Sequence, residues 1–89
     1  MIFSVLLHPK AAEELDEINE PNRQRIRERL RELRMNPEAS GRQLRYTYFW
    51  STKIGYYRAI YEIKRDRGQV LVLYLGHGKN VYDDFSRIF

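Results

Sequence analysis

No cysteine occurs among the 89 residues, so disulfide staples, thiol nucleophiles and cysteine-built zinc sites are excluded. Histidine is nearly as scarce: His8 and His77 alone do not make a histidine metal site, and neither a metal nor a cofactor is expected. No apolar run exceeds about six residues, against the roughly 20 that a membrane-spanning helix needs. The first residues lack the basic, apolar and small-residue order of a signal peptide. A soluble, cytoplasmic chain with no membrane partner is therefore expected. At 43% hydrophobic residues the chain is too apolar to stay disordered, and it is too short to divide into two folding halves. Residues 1–89 are expected to form a single domain.

The net charge of +4 is unevenly spread. Residues 1–40 carry seven basic and eight acidic side chains, whereas residues 41–89 carry nine basic and four acidic ones. All seven tyrosines and Trp50 lie beyond residue 45. Cations interleaved with aromatics suit a phosphate backbone with unstacked bases. They also suit an ordinary sheet, because strands favour tyrosine and basic residues keep sheet edges soluble.

Residues 2–7 read as a strand that ends at His8-Pro9, and proline suits the first position of a helix. His8 is read as a cap. Ala12, Leu15 and Ile18 then mark a short amphipathic helix with Glu13, Glu14, Asp16 and Glu17 outside. After Glu20-Pro21-Asn22, a second helix follows Ile26, Leu30 and Leu33 until Asn36-Pro37. So short a connection makes the two helices an antiparallel hairpin. Residues 44–51, 56–64 and 69–75 are rich in aromatic and β-branched residues and read as strands, with Asp66-Arg67-Gly68 turning the last pair. Tyr57, Ala59, Tyr61 and Ile63 share the face expected to meet the helices, which puts Arg58 on the opposite, open face. The expected fold is α+β: a small, curved, mainly antiparallel sheet with an N-terminal helical hairpin on one face. Its order is β-α-α-β-β-β, with a short C-terminal segment over residues 82–89.

Five ordered pieces of the sequence resemble the RelE/ParE toxin superfamily. Pro9-Lys10-Ala11-Ala12 opens the first helix, Asn36-Pro37 closes the second, and Leu44-Arg45 precedes the central signature. That signature, Gly55-Tyr56-Tyr57-Arg58-Ala59-Ile60-Tyr61, is similar to the family's Gly-x-Tyr-Arg-x-x-Tyr strand. Gly76-His77-Gly78-Lys79-Asn80-Val81-Tyr82 resembles its Gly-His-Arg-x-x-Val-Tyr element. The resemblance implies the toxin of a type II toxin–antitoxin pair, held in a hetero-oligomeric complex by a small acidic, RelB-like antitoxin. For RelE-like members it implies binding to the ribosome and metal-independent cleavage of mRNA. ParE-like members share the fold and inhibit DNA gyrase; a further alternative is an inactive homologue that binds an antitoxin and co-represses. The short hairpin and the spacing from Asn36-Pro37 to Leu44-Arg45 favour the RelE branch. The chain departs from the RelE pattern at three positions: Phe49 and Ser51 stand where one subgroup has two lysines, and Gly78 where an arginine usually follows the histidine.

Metal-free RNA cleavage needs a base for the 2′-hydroxyl, an acid for the leaving 5′-oxygen, and cations around the phosphorane. Arg58 fits the last role through its planar fork, the alternative being a strand arginine paired with Glu62. His77 is the acid–base candidate near the basic half, a role the resemblance supports, the alternative being a solvated loop histidine. Tyr82 can stack on a base or carry a proton, with Lys79 and Lys53 supplying cationic field or serving as ordinary surface lysines. Arg42 and Arg45 are candidates for gripping ribosomal or messenger backbone. Arg23, Arg27, Arg31 and Arg34 form one helical stripe, read either as a solvated face or as a ribosomal RNA contact.

Overall fold

The computed structural model describes residues 2–88; Met1 and Phe89, the last residue of the expected C-terminal segment, lie outside the described residues. The chain runs β1 (Ser4–Leu7), α1 (Pro9–Glu17), α2 (Asn22–Glu32), β2 (Arg42–Gln43), β3 (Phe49–Ile54), β4 (Tyr57–Lys64), β5 (Gln69–His77) and α3 (Val81–Ile88). The five strands form one sheet in the order β1-β5-β4-β3-β2. Only β1 with β5 is parallel; the other pairs are antiparallel. Among the described residues, no helix is long and apolar enough to cross a membrane.

The expected α+β order is observed. Pro9 opens α1, and His8 caps it by accepting the Lys10 backbone N–H on Nδ1 at 3.1 Å. Ala11 and Leu15 of α1, with Ile26, Leu30 and Leu33 at the second helix, bury one stripe against Ala59, Tyr61, Val70, Val72 and Leu75. Each fully buried aliphatic side chain contributes about 1.5–3 kcal/mol.

Three expectations need correction. Of the strand expected over residues 44–51, only residues 49–51 are strand: β2 ends at Gln43, residues 44–48 form a turn, and β3 begins at Phe49. Tyr46 takes a left-handed conformation (φ 61°), which a strand cannot contain. The side chain of Thr47 then replaces ladder bonds, donating to the Leu44 carbonyl at 2.8 Å and accepting from the Phe49 N–H at 3.1 Å.

The second correction concerns the face that carries Arg58, which is not open. A second core of Ile60, Leu73, Tyr74, Val81 and Phe85 lies there, roofed by α3 and flanked by Leu44, Phe49 and Leu71. A bulge makes this possible: Ile60 pairs with Tyr74 and Tyr61 with Val72, leaving Leu73 as the extra residue. Leu73 and Tyr74 thus both join the α3 side.

Because β1 ends at Leu7, β5 runs on past its parallel partner. There the Leu75 N–H donates to Glu14 Oε1 at 3.1 Å, so Glu14 turns toward the sheet instead of lying on the outer face of α1 as expected, a third correction. Burial raises the Glu14 carboxyl above its ordinary value, although that hydrogen bond and one with Tyr74 act in the other direction.

Candidate functional site

Arg58 is the second residue of β4, and its cross-strand neighbours are Lys53 on β3 and Gly76 on β5. Two cations therefore stand side by side at one end of the sheet. No acidic residue occurs between Glu38 and Glu62 in sequence to neutralise them. Glu62 itself pairs with Lys64, Oε2 to Nζ at 3.6 Å. Among the described residues, Arg58 has no carboxylate partner.

The start of α3 completes the site. Val81 and Phe85, one helical turn apart, are buried in the second core and seat the helix on the sheet. Tyr82, between them, lies with its ring centre 5.9 Å from the Arg58 guanidinium carbon, within cation–π reach. Its hydroxyl is 3.2 Å from Ser51 Oγ. Gly78 permits the arrangement: a Cβ there would lie 3.3 Å from Arg58 Nε and 3.2 Å from the Tyr56 carbonyl oxygen.

Two depressions meet at Arg58 and Lys53. The larger, about 480 Å³, also holds Arg29, Arg42, Ser51 and Tyr82. The smaller, about 260 Å³ at the end of the sheet, adds Tyr57, His77 and Lys79. His77 aligns with Tyr57 across the strands, so its ring leaves the sheet on the α1–α2 side. It stacks on Tyr56 at 6.1 Å between centres and meets Tyr57 edge-on. His77 reaches the Arg58 site at its rim, separate from the Tyr82 and Ser51 side.

The other sequence candidates are dispersed. Arg45 lies outside both depressions, with its guanidinium 5.7 Å from the Tyr46 ring centre. Arg23 is bound to Glu20 at 2.8 Å. Arg27, Arg31 and Arg34 line a groove of about 280 Å³ with Val5 and Leu7 of β1. That strand is the sheet edge opposite β2, so the stripe is remote from Arg58. Among the described residues, no group of three or more histidines and carboxylates is placed to hold a metal ion.

Sequence reasoning missed Arg29 and Thr52. Arg29 donates from Nε to Thr52 Oγ1 at 3.2 Å and from a terminal nitrogen to the Ser40 carbonyl at 3.1 Å. Buried Thr52 donates to the same carbonyl at 2.8 Å. The available signal was position: Arg29 stands three residues after Ile26 and four before Leu33, on the buried side of α2, where a guanidinium requires polar partners.

Phe49 and Ser51 have structural roles in place of the lysines of the resemblance. Phe49 packs edge-on against Phe85 at 5.1 Å, and Ser51 holds the Tyr82 hydroxyl.

Residues 5–82 match the model of the ParE toxin of type II toxin–antitoxin systems. The fold is similar to a chain of the RelBE2 toxin–antitoxin complex from Mycobacterium tuberculosis (22% identity, TM-score 0.81, covering 86% of this chain and 99% of that one). It is similar to a mutant E. coli RelE toxin in the free state (21% identity, TM-score 0.79, covering 100% of both chains). A chain of the chromosomal ParDE system of P. aeruginosa also matches (18% identity, TM-score 0.71, covering 85% and 96%). No curated protein sequence matches the chain.

Proposed function

Because the chain belongs to the ParE toxin family of type II toxin–antitoxin systems, we propose that it blocks translation by metal-independent cleavage of mRNA on the ribosome. The observation that carries this reading is the Arg58–Lys53 pair, with the Tyr82 phenol on one side and the His77 imidazole at the rim on the other. In such a reaction the 2′-oxygen attacks the adjacent phosphorus and the 5′-oxygen leaves. Arg58 and Lys53 hold the phosphoryl oxygens, where negative charge accumulates. Tyr82 presents a ring for stacking and a hydroxyl steered by Ser51, while His77 serves proton transfer from the sheet end and Lys79 adds cationic field.

Single-turnover cleavage of a programmed ribosome tests the reading. Arg58→Ala is expected to lose about 10²–10³ in rate. His77→Ala should lose roughly 10²–10⁴ and flatten one limb of the pH–rate profile. Ribosome binding is retained in both, because that affinity is spread over many cations, including the stripe on α2. Equal cleavage by the wild type and both variants would sink the mechanism.

Gyrase inhibition is the second reading, favoured by the match to the ParE family and by the missing lysines at Phe49 and Ser51. Amino-acid and thymidine incorporation after induction separates the two: early, selective loss of DNA synthesis supports gyrase. For either target the partner is a small acidic antitoxin, and co-purification with the product of the adjacent reading frame tests that pairing.

A further inference from the structure

The turn between β2 and β3 takes no part in the site just described. Tyr46 and Tyr48 project from it at 95% and 84% exposure. Tyr46 is, among the described residues, the one non-glycine residue at positive φ, a region that bulky side chains avoid. Such a conformation persists only where its surroundings over-determine it. Here they do: Leu44 and Phe49 close the turn through an N–H···O bond of 2.8 Å, Thr47 braces it from inside, and Gln43 Nε2 donates to the Thr47 carbonyl at 3.0 Å. The result is two phenol rings held outward on a fixed backbone, with the Arg45 guanidinium over the first of them.

We propose that this turn is a stacking site for unpaired nucleobases of single-stranded RNA, running on from the Arg58 depression. Leu44 lines both that depression and the concavity of residues 43–48, so a strand crossing Arg58 passes directly onto the turn. Arg42 and Arg45 lie along this path, and the whole stretch between Glu38 and Glu62 is free of carboxylates. Rings with exposed faces and flanking cations match what a single strand offers, its bases for stacking and its phosphates for charge. The rigidity of the turn means that little ordering is lost when a base stacks. The inference deepens the RNA reading above and rests on it for the chemistry at Arg58, but its own test needs no cleavage.

The probe is a single-stranded RNA hexamer carrying 2-aminopurine, whose fluorescence is quenched by stacking, titrated with the full chain. Tyr46→Ala and Tyr48→Ala should each weaken binding by about 5- to 100-fold, while the phenylalanine variants retain the ring face and the affinity. Arg45→Ala should lower the slope of log affinity against log salt by about 0.7. Tyr46→Gly separates binding from folding: it relieves the left-handed backbone, so the thermal midpoint is held or raised while RNA binding falls. Wild-type affinity in a Tyr46→Gly, Tyr48→Ala double variant overturns the proposal. So does unchanged RNA binding with loss of the antitoxin complex, which would assign the turn to a protein. Ribosomal cleavage is measured in parallel. A wild-type chain that cleaves nothing, yet whose RNA binding falls with Tyr46→Gly, refutes the cleavage reading and upholds the stacking site.

Discussion

Ser51 and Tyr82, on β3 and at the start of α3, place their hydroxyl oxygens 3.2 Å apart across the face that carries Arg58. Ser51 is buried and Tyr82 is partly exposed, so the serine acts as the fixed end of the pair. Ser51→Ala and Tyr82→Phe should each cost about 0.5–1.5 kcal/mol in stability. The double variant should cost less than the sum of the two. Denaturant unfolding of the four chains measures the coupling, and strict additivity would show the two hydroxyls to be independent.

Gly78 departs from the resemblance for a structural reason. An arginine at Gly78 restores the family pattern, yet a Cβ there presses on Arg58 Nε and on the Tyr56 carbonyl. Gly78→Ala and Gly78→Arg should both displace the Arg58 guanidinium and reduce RNA cleavage, by up to the factor of about 10²–10³ expected for losing one charged donor. Thermal unfolding should change little, because the flexible arginine side chain gives way first. A Gly78→Arg variant more active than the wild type would refute this account of the glycine.

Gly41 carries a stability prediction. The buried Tyr61 hydroxyl donates to the Pro37 carbonyl at 2.7 Å, directly over Gly41, where a Cβ would fall 2.1 Å from the Tyr61 hydroxyl oxygen. Gly41→Ala must move the phenol or the chain after α2, at an expected cost of about 1–3 kcal/mol. Tyr61→Phe, which loses the same hydrogen bond without the clash, should cost less. Equilibrium unfolding of the two variants gives the comparison.

Alkaline pH supplies a fourth test. Burial pushes the Tyr61 phenol up to about 12, against the Arg29 charge, and burial with nearby Glu14 and Asp84 does the same for Tyr74. In the unfolded chain both phenols lose their protons near the ordinary value of about 10. Between about 10 and 12 the folded state therefore binds more protons, so stability falls as pH rises through this window. Tyr61→Phe should shallow that fall. The phenolate absorbance lost in Tyr61→Phe and Tyr74→Phe difference titrations should belong to the range near 12. Ionisation of these two phenols near 10 without unfolding would contradict the burial of their hydroxyls.

Local interactions made much of this protein readable without its structure. Pro9 and the Ala12, Leu15, Ile18 spacing specify α1 from neighbouring residues alone, as the alternation around Tyr57, Ala59 and Tyr61 specifies β4 and the face that Arg58 occupies. The Gly-x-Tyr-Arg strand and the Val81-Tyr82 element made the family legible for the same reason: each is a short motif of neighbouring residues. What tertiary structure alone decided depends on pairs distant in sequence. Leu73 entered the second core through a bulge set by the register of β5 on β4, and Phe49 found its partner Phe85 only once α3 had docked. His77 was separated from Tyr82 because strand alternation assigns a face relative to a partner strand, and no spacing along one chain segment names that partner. Arg29 joined the site through Thr52 for a like reason. Side-chain chemistry is written in the sequence; which side chains meet is settled by the free energy of burying two sheet faces at once.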